Sequence, residues 1–134
     1  MIVRDFNEII KSDRNRVVSE AQWSSVRMLL SDDGLGFSFQ ITFLEPGSEH
    51  TFENKDHVES VYCMQGVGSV TDLGTGTTHQ IKPGVMYALD KGDRHTVYAE
   101  EELVMACCFT SPTSSAEPSK DSAPSTPAPE LQSA

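Results

Sequence analysis

Basic residues are few. Ten Lys and Arg stand against twenty Asp and Glu, which leaves a formal net charge of −10 over 134 residues. A chain of that sign lacks the basic face that a nucleic-acid reader needs. It also lacks the charge for docking on anionic lipid. Long apolar runs are absent too: no stretch approaches the roughly 18 residues of a membrane-spanning helix. Met1 to Glu8 carry no apolar segment of the signal-peptide kind, so a cytoplasmic protein is expected. Cysteine is scarce. The three thiols are odd in number, two of them adjacent as Cys107 and Cys108, with no CxxC pair. That pattern excludes a zinc knuckle and a disulfide framework, and reduced thiols are the simplest account. The four histidines, His50, His57, His79 and His95, form neither HxH nor HExxH.

What is present falls into two parts. Thr110 to Ala134 hold five of the seven prolines and seven serines, with Leu131 as the sole large aliphatic residue. Such a segment buries too little apolar area to offset its ordering entropy. A folded domain over residues 1–109 and a mostly disordered Pro/Ser-rich tail over 110–134 are therefore expected. The length fits one domain.

Inside the domain the rhythm is β. Phe37, Phe39, Ile41 and Phe43 alternate with Ser38, Gln40 and Thr42. Val26–Leu30, Val58–Gln65, His79–Ile81, Val85–Leu89, Thr96–Tyr98 and Leu103–Phe109 also read as strands, separated by Gly- and Pro-bearing turns. Short strands at close spacing predict an all-β sandwich or closed barrel. One short helix is expected near the start, where Asp5 and Glu8 make a capping box before Ile9. The Phe37–Phe43 apolar face is expected to be buried. The Ser38, Gln40, Thr42 face either looks to solvent or lines a cavity for a small polar ligand, and solvent is the simpler reading.

Two spacings carry more. Gly47, Glu53, Lys55, Glu59 and Gly66 stand at the intervals of the first cupin motif, with Glu53 and Lys55 where that motif usually has histidines. Gly84, Asp90, Gly92 and His95 resemble the second motif. A single small cupin barrel with a depleted metal site follows, retaining Glu59 and His95. Two ligands rarely hold a divalent ion. Tyr87, eight residues before His95 on a strand expected to pair near it, would complete an O/O/N set. His57 shares the parity of Glu59 and is an alternative. A structural His, a solvent-facing Glu and a core Tyr are the bland readings of the same residues.

Met1–Arg4, Trp23–Leu30, Asp32–Phe39, His57–Cys63, Pro83–Lys91 and Asp93–His95, in this order and spacing, resemble the L-ectoine synthase family across nearly all of the domain. The resemblance implies a cytoplasmic, dimeric, iron-dependent lyase of the hydro-lyase kind. Such an enzyme cyclises N4-acetyl-L-2,4-diaminobutyrate to ectoine, a compatible solute made under osmotic stress. It implies Glu59, Tyr87 and His95 as metal ligands, with Fe(2+) expected and other divalent ions allowed. It implies that Trp23, Arg27, Thr42 and Phe109 line the substrate site, with Gln40 and Cys107 close by. Arg27 suits a bidentate grip on a carboxylate, and Trp23 can offer a π face to an ammonium group. The sequence departs from the family at Glu53 and Asn54, and in the tail, where Glu117 and Ser119 replace a Glu/His pair over the substrate. Those departures leave a second reading: a solitary divergent cupin that binds a small amino-acid derivative with little or only amide-hydrolysing activity.

Overall fold

The computed structural model describes residues 1–53 and 56–110. The expected tail from residue 111 onward, with Glu117 and Ser119, and the departures at Asn54 and Lys55 lie outside the described residues. Among the described residues ten strands follow one short α-helix, α1 (Phe6–Ile9). They are β1 (Asn15–Val18), β2 (Trp23–Leu29), β3 (Ser38–Leu44), β4 (Glu49–Glu53), β5 (Val58–Gln65), β6 (Gly68–Asp72), β7 (Thr78–Ile81), β8 (Met86–Leu89), β9 (Arg94–Ala99) and β10 (Leu103–Thr110). The expected helix is there, capped by the Asp5 carboxylate, which accepts the Asn7 N–H at 2.8 Å rather than that of Glu8. β1, β4 and β6 were not read from the sequence. Their residues carry too little apolar alternation to stand out before pairing.

The strands form two antiparallel sheets. One has the order β1-β2-β3-β10-β5-β8, the other β4-β9-β6-β7. Their inner faces meet over a core that includes Leu44, Val61, Cys63, Ile81, Val97 and Leu103. This is the expected small all-β barrel.

The two faces of β3 are reversed from expectation. Ser38 and Gln40 are 4% and 5% exposed and point inward, while Phe39, Ile41 and Phe43 look out. Alternation defines two faces but does not say which is inside. Part of the outer face is covered by the N-terminal segment, where Phe6 meets Phe43 at 6.2 Å between ring centroids. Beyond that cover an apolar row crosses the sheet in register: Ile41, Ala106, Tyr62, Met86.

Asp33 ties the N-terminal segment down. Its carboxylate accepts Arg4 at 3.0 Å, Arg14 at 3.1 Å and the Leu30 N–H at 2.9 Å. The Arg4 guanidinium is the chief cause holding this carboxyl well below its ordinary pKa. Asp33→Ala is expected to lower unfolding stability by about 2–3 kcal/mol, since it strands two partly buried guanidinium groups. Urea denaturation checks this, and a midpoint equal to that of the parent chain would count against the role.

Candidate active site

Three register rows on the inner face of the larger sheet carry its polar groups, next to a fourth of Trp23, Leu44 and Leu103. Ser38, Phe109, Glu59 and Leu89 lie in one; Arg27, Gln40, Cys107, Val61 and Tyr87 in the next; Ser25, Thr42, Met105 and Cys63 in the third. Cross-strand partners project to the same side, so carboxylate, phenol, thiol, amide and hydroxyl groups converge on the barrel lumen. The second sheet faces them with Phe52 on β4 and His95 on β9, which are register partners.

Between the sheets lies a cavity of about 590 Å³, its open mouth included. Trp23, Ser25, Gln40, Thr42, Glu59, Tyr87, His95 and Cys107 line it, and the apolar wall is Leu44, Phe52, Val61, Val97 and Met105. The proposed ligand trio therefore shares one cavity, but not by the route expected. Tyr87 and His95 do not sit on pairing strands; they face each other across the lumen from opposite sheets, ring centroids 6.1 Å apart and edge to face.

Two expected residues stand elsewhere. Arg27 is not among the lining residues, because its guanidinium donates to the carbonyls of Arg14 (3.0 Å) and Asp13 (2.9 Å). Phe109 is buried one row from Tyr87, where its ring meets that of His57 at a tilt, centroids 5.1 Å apart. His57 is likewise absent from the lining.

Two further groups line the cavity: Ser25, whose parity with Trp23 and Arg27 lets it face the lumen but to which the sequence assigns no role, and Phe52, which the sequence does not single out. Ser25 is 2% exposed and its hydroxyl is buried without a hydrogen-bond partner among the described residues. Its shared parity with Trp23 was the available signal. Phe52 lies between His50 and His95, with centroids at 6.0 and 5.4 Å. Its strand gave no sequence signal.

Burial sets the electrostatics. It pushes the Tyr87 phenol well above its usual pKa, helped by the charges of Cys107 and Glu59. It pushes the Cys107 thiol up as well, and the Sγ points to the Thr42 hydroxyl at 3.7 Å. It holds His95 down to about 4 despite the nearby Asp93 and Asp72. His95 is therefore a neutral imidazole at pH 7, and its Nδ1 is buried without a hydrogen-bond partner. Among the described residues no three His, Cys, Asp or Glu side chains cluster as a metal site. The set here includes a tyrosine. A carboxylate, a phenol and a neutral imidazole form an O/O/N donor set suited to a divalent ion. A cation there would offset the cost of ionising Tyr87 beside Glu59, so the residues fit a metal.

His50 lies on the same inner face of β4, 8% exposed and held down to about 4 by burial. The Ser48 hydroxyl donates to the Glu45 carbonyl at 2.6 Å, so it accepts from His50 Nε2–H at 2.8 Å. Both buried histidines thus fold neutral. The unfolded chain, with ordinary histidines near 6.5, binds the extra protons. Stability of the metal-free protein is expected to fall as pH drops from about 6.5 toward 4, by at most ~1.4 kcal/mol per pH unit for each histidine. His50→Gln reduces that slope, and thermal melts from pH 7 to pH 4.5 read it. Parallel curves for parent and variant would refute the assignment.

Comparison with known proteins agrees with this geometry. The ectoine synthase family model matches residues 1–125. The L-ectoine synthase of Hyphomonas neptunium is 54% identical over 119 residues, covering 87% of each chain. The crystal structure of ectoine synthase from P. lautus superposes with a TM-score of 0.79 at 39% identity, covering 87% of this chain and 83% of that one. The Schizosaccharomyces pombe Cnp3 cupin domain, 15% identical with a TM-score of 0.60 over 76% of this chain and 71% of that one, shares the fold alone. Sequence identity over 87% of the chain, the family-model match and the barrel point one way, and the chain belongs to the ectoine synthase family.

Proposed function

We propose that this protein is an ectoine synthase: a hydro-lyase that closes N4-acetyl-L-2,4-diaminobutyrate into the cyclic amidine ectoine with loss of water. The observation that carries the reading is the shared cavity. Glu59, Tyr87 and His95 stand on its wall together with Trp23, Gln40, Thr42 and Cys107, inside the family's barrel.

The substrate brings its own nucleophile, the α-amine, and its own electrophile, the acetamide carbonyl. Folding both ends into one small cavity supplies much of the rate through positioning. Ser25, Gln40 and Thr42 form a polar wall for the substrate's hydrogen bonds. Leu44, Phe52, Val61, Val97 and Met105 keep bulk water away from a reaction that must release water. Among the described residues Glu59 is the sole carboxylate on the cavity lining, placed to take the ammonium proton. Burial keeps the Tyr87 phenol protonated until a cation binds, and the phenolate then formed would serve as an oxygen donor to it. Glu59, Tyr87 and His95 would hold a divalent ion, Fe(2+) by the family resemblance, and when bound it supplies Lewis-acid polarisation of a carbonyl. Arg27 anchors the carbonyls of Asp13 and Arg14. Phe109 supports Glu59 from the neighbouring register position.

The test is NMR of the purified, Fe(2+)-loaded protein with N4-acetyl-L-2,4-diaminobutyrate. Appearance of the ring-methyl resonance is expected, and unchanged substrate would refute the reading. The protein is proposed to work in the cytoplasm as a homodimer, joined through the outward row Ile41, Ala106, Tyr62, Met86. Tyr62 and Met86 are 48% and 58% exposed, an apolar surface suited to burial against a second copy. Tyr62→Glu with Met86→Glu is expected to give a folded monomer by light scattering. A variant that stays dimeric would move the interface elsewhere.

A further inference from the structure

β4 carries His50 and Phe52 on its inner face, and Phe52 is the register partner of His95 on β9. The three rings form one stack. His50 and Phe52 are nearly parallel, 13° apart with centroids at 6.0 Å, and Phe52 meets His95 at 34° and 5.4 Å. Tyr87 stands edge to face against the imidazole from the opposite sheet, at 6.1 Å.

The far end of the stack is pinned. His50 Nε2–H donates to the Ser48 hydroxyl at 2.8 Å, which in turn donates to the Glu45 carbonyl at 2.6 Å. Both side chains are buried. A histidine in that place carries a desolvation cost that an apolar residue would not. What it adds is a ring whose plane is set by a directed bond.

His95 needs such a backing. The terminal torsion of a histidine is broad on its own. A metal-ligating imidazole is usually aimed by a hydrogen bond from its second ring nitrogen to a carboxylate or carbonyl. The buried Nδ1 of His95 has no partner among the described residues. The two carboxylates whose charge reaches the ring are held in their own turns: Asp72 accepts the Gly74 N–H at 2.8 Å, and Asp93 accepts the Asp90 N–H at 2.7 Å. Packing is left to orient the imidazole, and an aromatic neighbour imposes an angle as well as a volume.

We propose that Phe52, backed by the pinned His50 ring, is a positioning residue that fixes the orientation of the His95 imidazole and so presets its nitrogen for a divalent ion. This rests on the reading of His95 as a metal ligand. Phe52 gives no atom to the ion and acts through His95. An aliphatic residue in its place would fill the wall but leave the imidazole free to turn.

The experiment uses the full-length metal-free protein with 13C at histidine Cε1. Four signals are expected, one per histidine, and His95→Gln identifies that of His95. In Phe52→Leu the order parameter of this signal is expected to fall toward that of the exposed His79. The Kd for Co(2+), read from its visible absorption, is expected to rise about tenfold. His50→Leu is expected to move both readouts the same way by less, and a parent-like result there overturns the backing role of His50. Ile81→Val, a truncation in the same core but off the cavity lining, is expected to match the parent in both. An unmoved His95 order parameter in Phe52→Leu overturns the proposal. A loosened ring with parent-like Co(2+) affinity does so too, as does an equal rise in Kd for Phe52→Leu and Ile81→Val. A ring loosened by Phe52→Leu in a protein whose parent binds no Co(2+) refutes the metal reading and leaves the ring clamp standing.

Discussion

His95→Ala is expected to abolish bound metal and cyclisation together, with kcat/KM falling at least ~10³-fold while the barrel stays folded. The ring is the only nitrogen donor in the trio, and Glu59 with Tyr87 alone leaves two oxygen donors, too few to hold a catalytic divalent ion firmly. The loss follows from the geometry: Glu59 and Tyr87 reach the lumen from the larger sheet, and only β9 brings a donor from the facing one. Folding survives because the imidazole is itself a burden on the apo barrel, kept neutral against its ordinary pKa with an unpartnered buried nitrogen. Metal analysis, circular dichroism and the NMR assay on one preparation check all three statements. Full activity in a metal-free His95→Ala protein would sink the proposed role of the site.

Gly66→Ala is expected to leave no soluble, cooperatively folding protein. Gly66 lies in the turn between β5 and β6 with φ of +100°, a conformation that L side chains rarely adopt. A methyl group there would overlap the backbone carbonyl of Glu102, which has no flexible end to move aside. The positive φ costs roughly 1–2 kcal/mol on its own, and the overlap forces the start of β10 away from the loop. β10 is the strand that pairs with both β3 and β5, so the damage reaches the centre of the larger sheet. A Gly84→Ala control shares the positive φ of +97° but has open space around its Cβ, and a far smaller loss is expected there. Comparing soluble yield and thermal midpoint of the two variants separates the steric cost from the conformational one. Equal losses would show that the contact with Glu102 is not what matters.

Much of the site was legible because period 2 and motif spacing are local properties. The intervals from Gly47 to Gly66 and from Gly84 to His95 already implied two hairpins with inward residues at Glu59 and His95. Trp23, Gln40, Thr42, Tyr87 and Cys107 were named through the resemblance, and all line the cavity. What remained hidden depended on which side of a strand became the inside. The Phe39, Ile41, Phe43 face reads as core from its composition, yet it is the outer face, because the lumen keeps polar groups for a ligand and the N-terminal segment covers part of the outside. Arg27 has the correct parity for the cavity, but parity does not say where a long side chain ends, and the carbonyls of Asp13 and Arg14 claim its guanidinium. Ser25 shares strand parity with Trp23 and Arg27, which already allowed it a place on the cavity, whereas Phe52 is a lone aromatic that carries no spacing signal.

The amino-acid order alone determined the strand rhythm, the turns, the family and the donor types, because each depends on neighbours within a few residues or on a spacing along the chain. Only the tertiary structure decided that Tyr87 and His95 meet across two sheets, that the polar face of β3 lines the lumen, and that Phe52 packs between His50 and His95. Those facts arise from sheet closure, which joins residues with no sequence relation, and from burial, which assigns each side chain its protonation state and its partners.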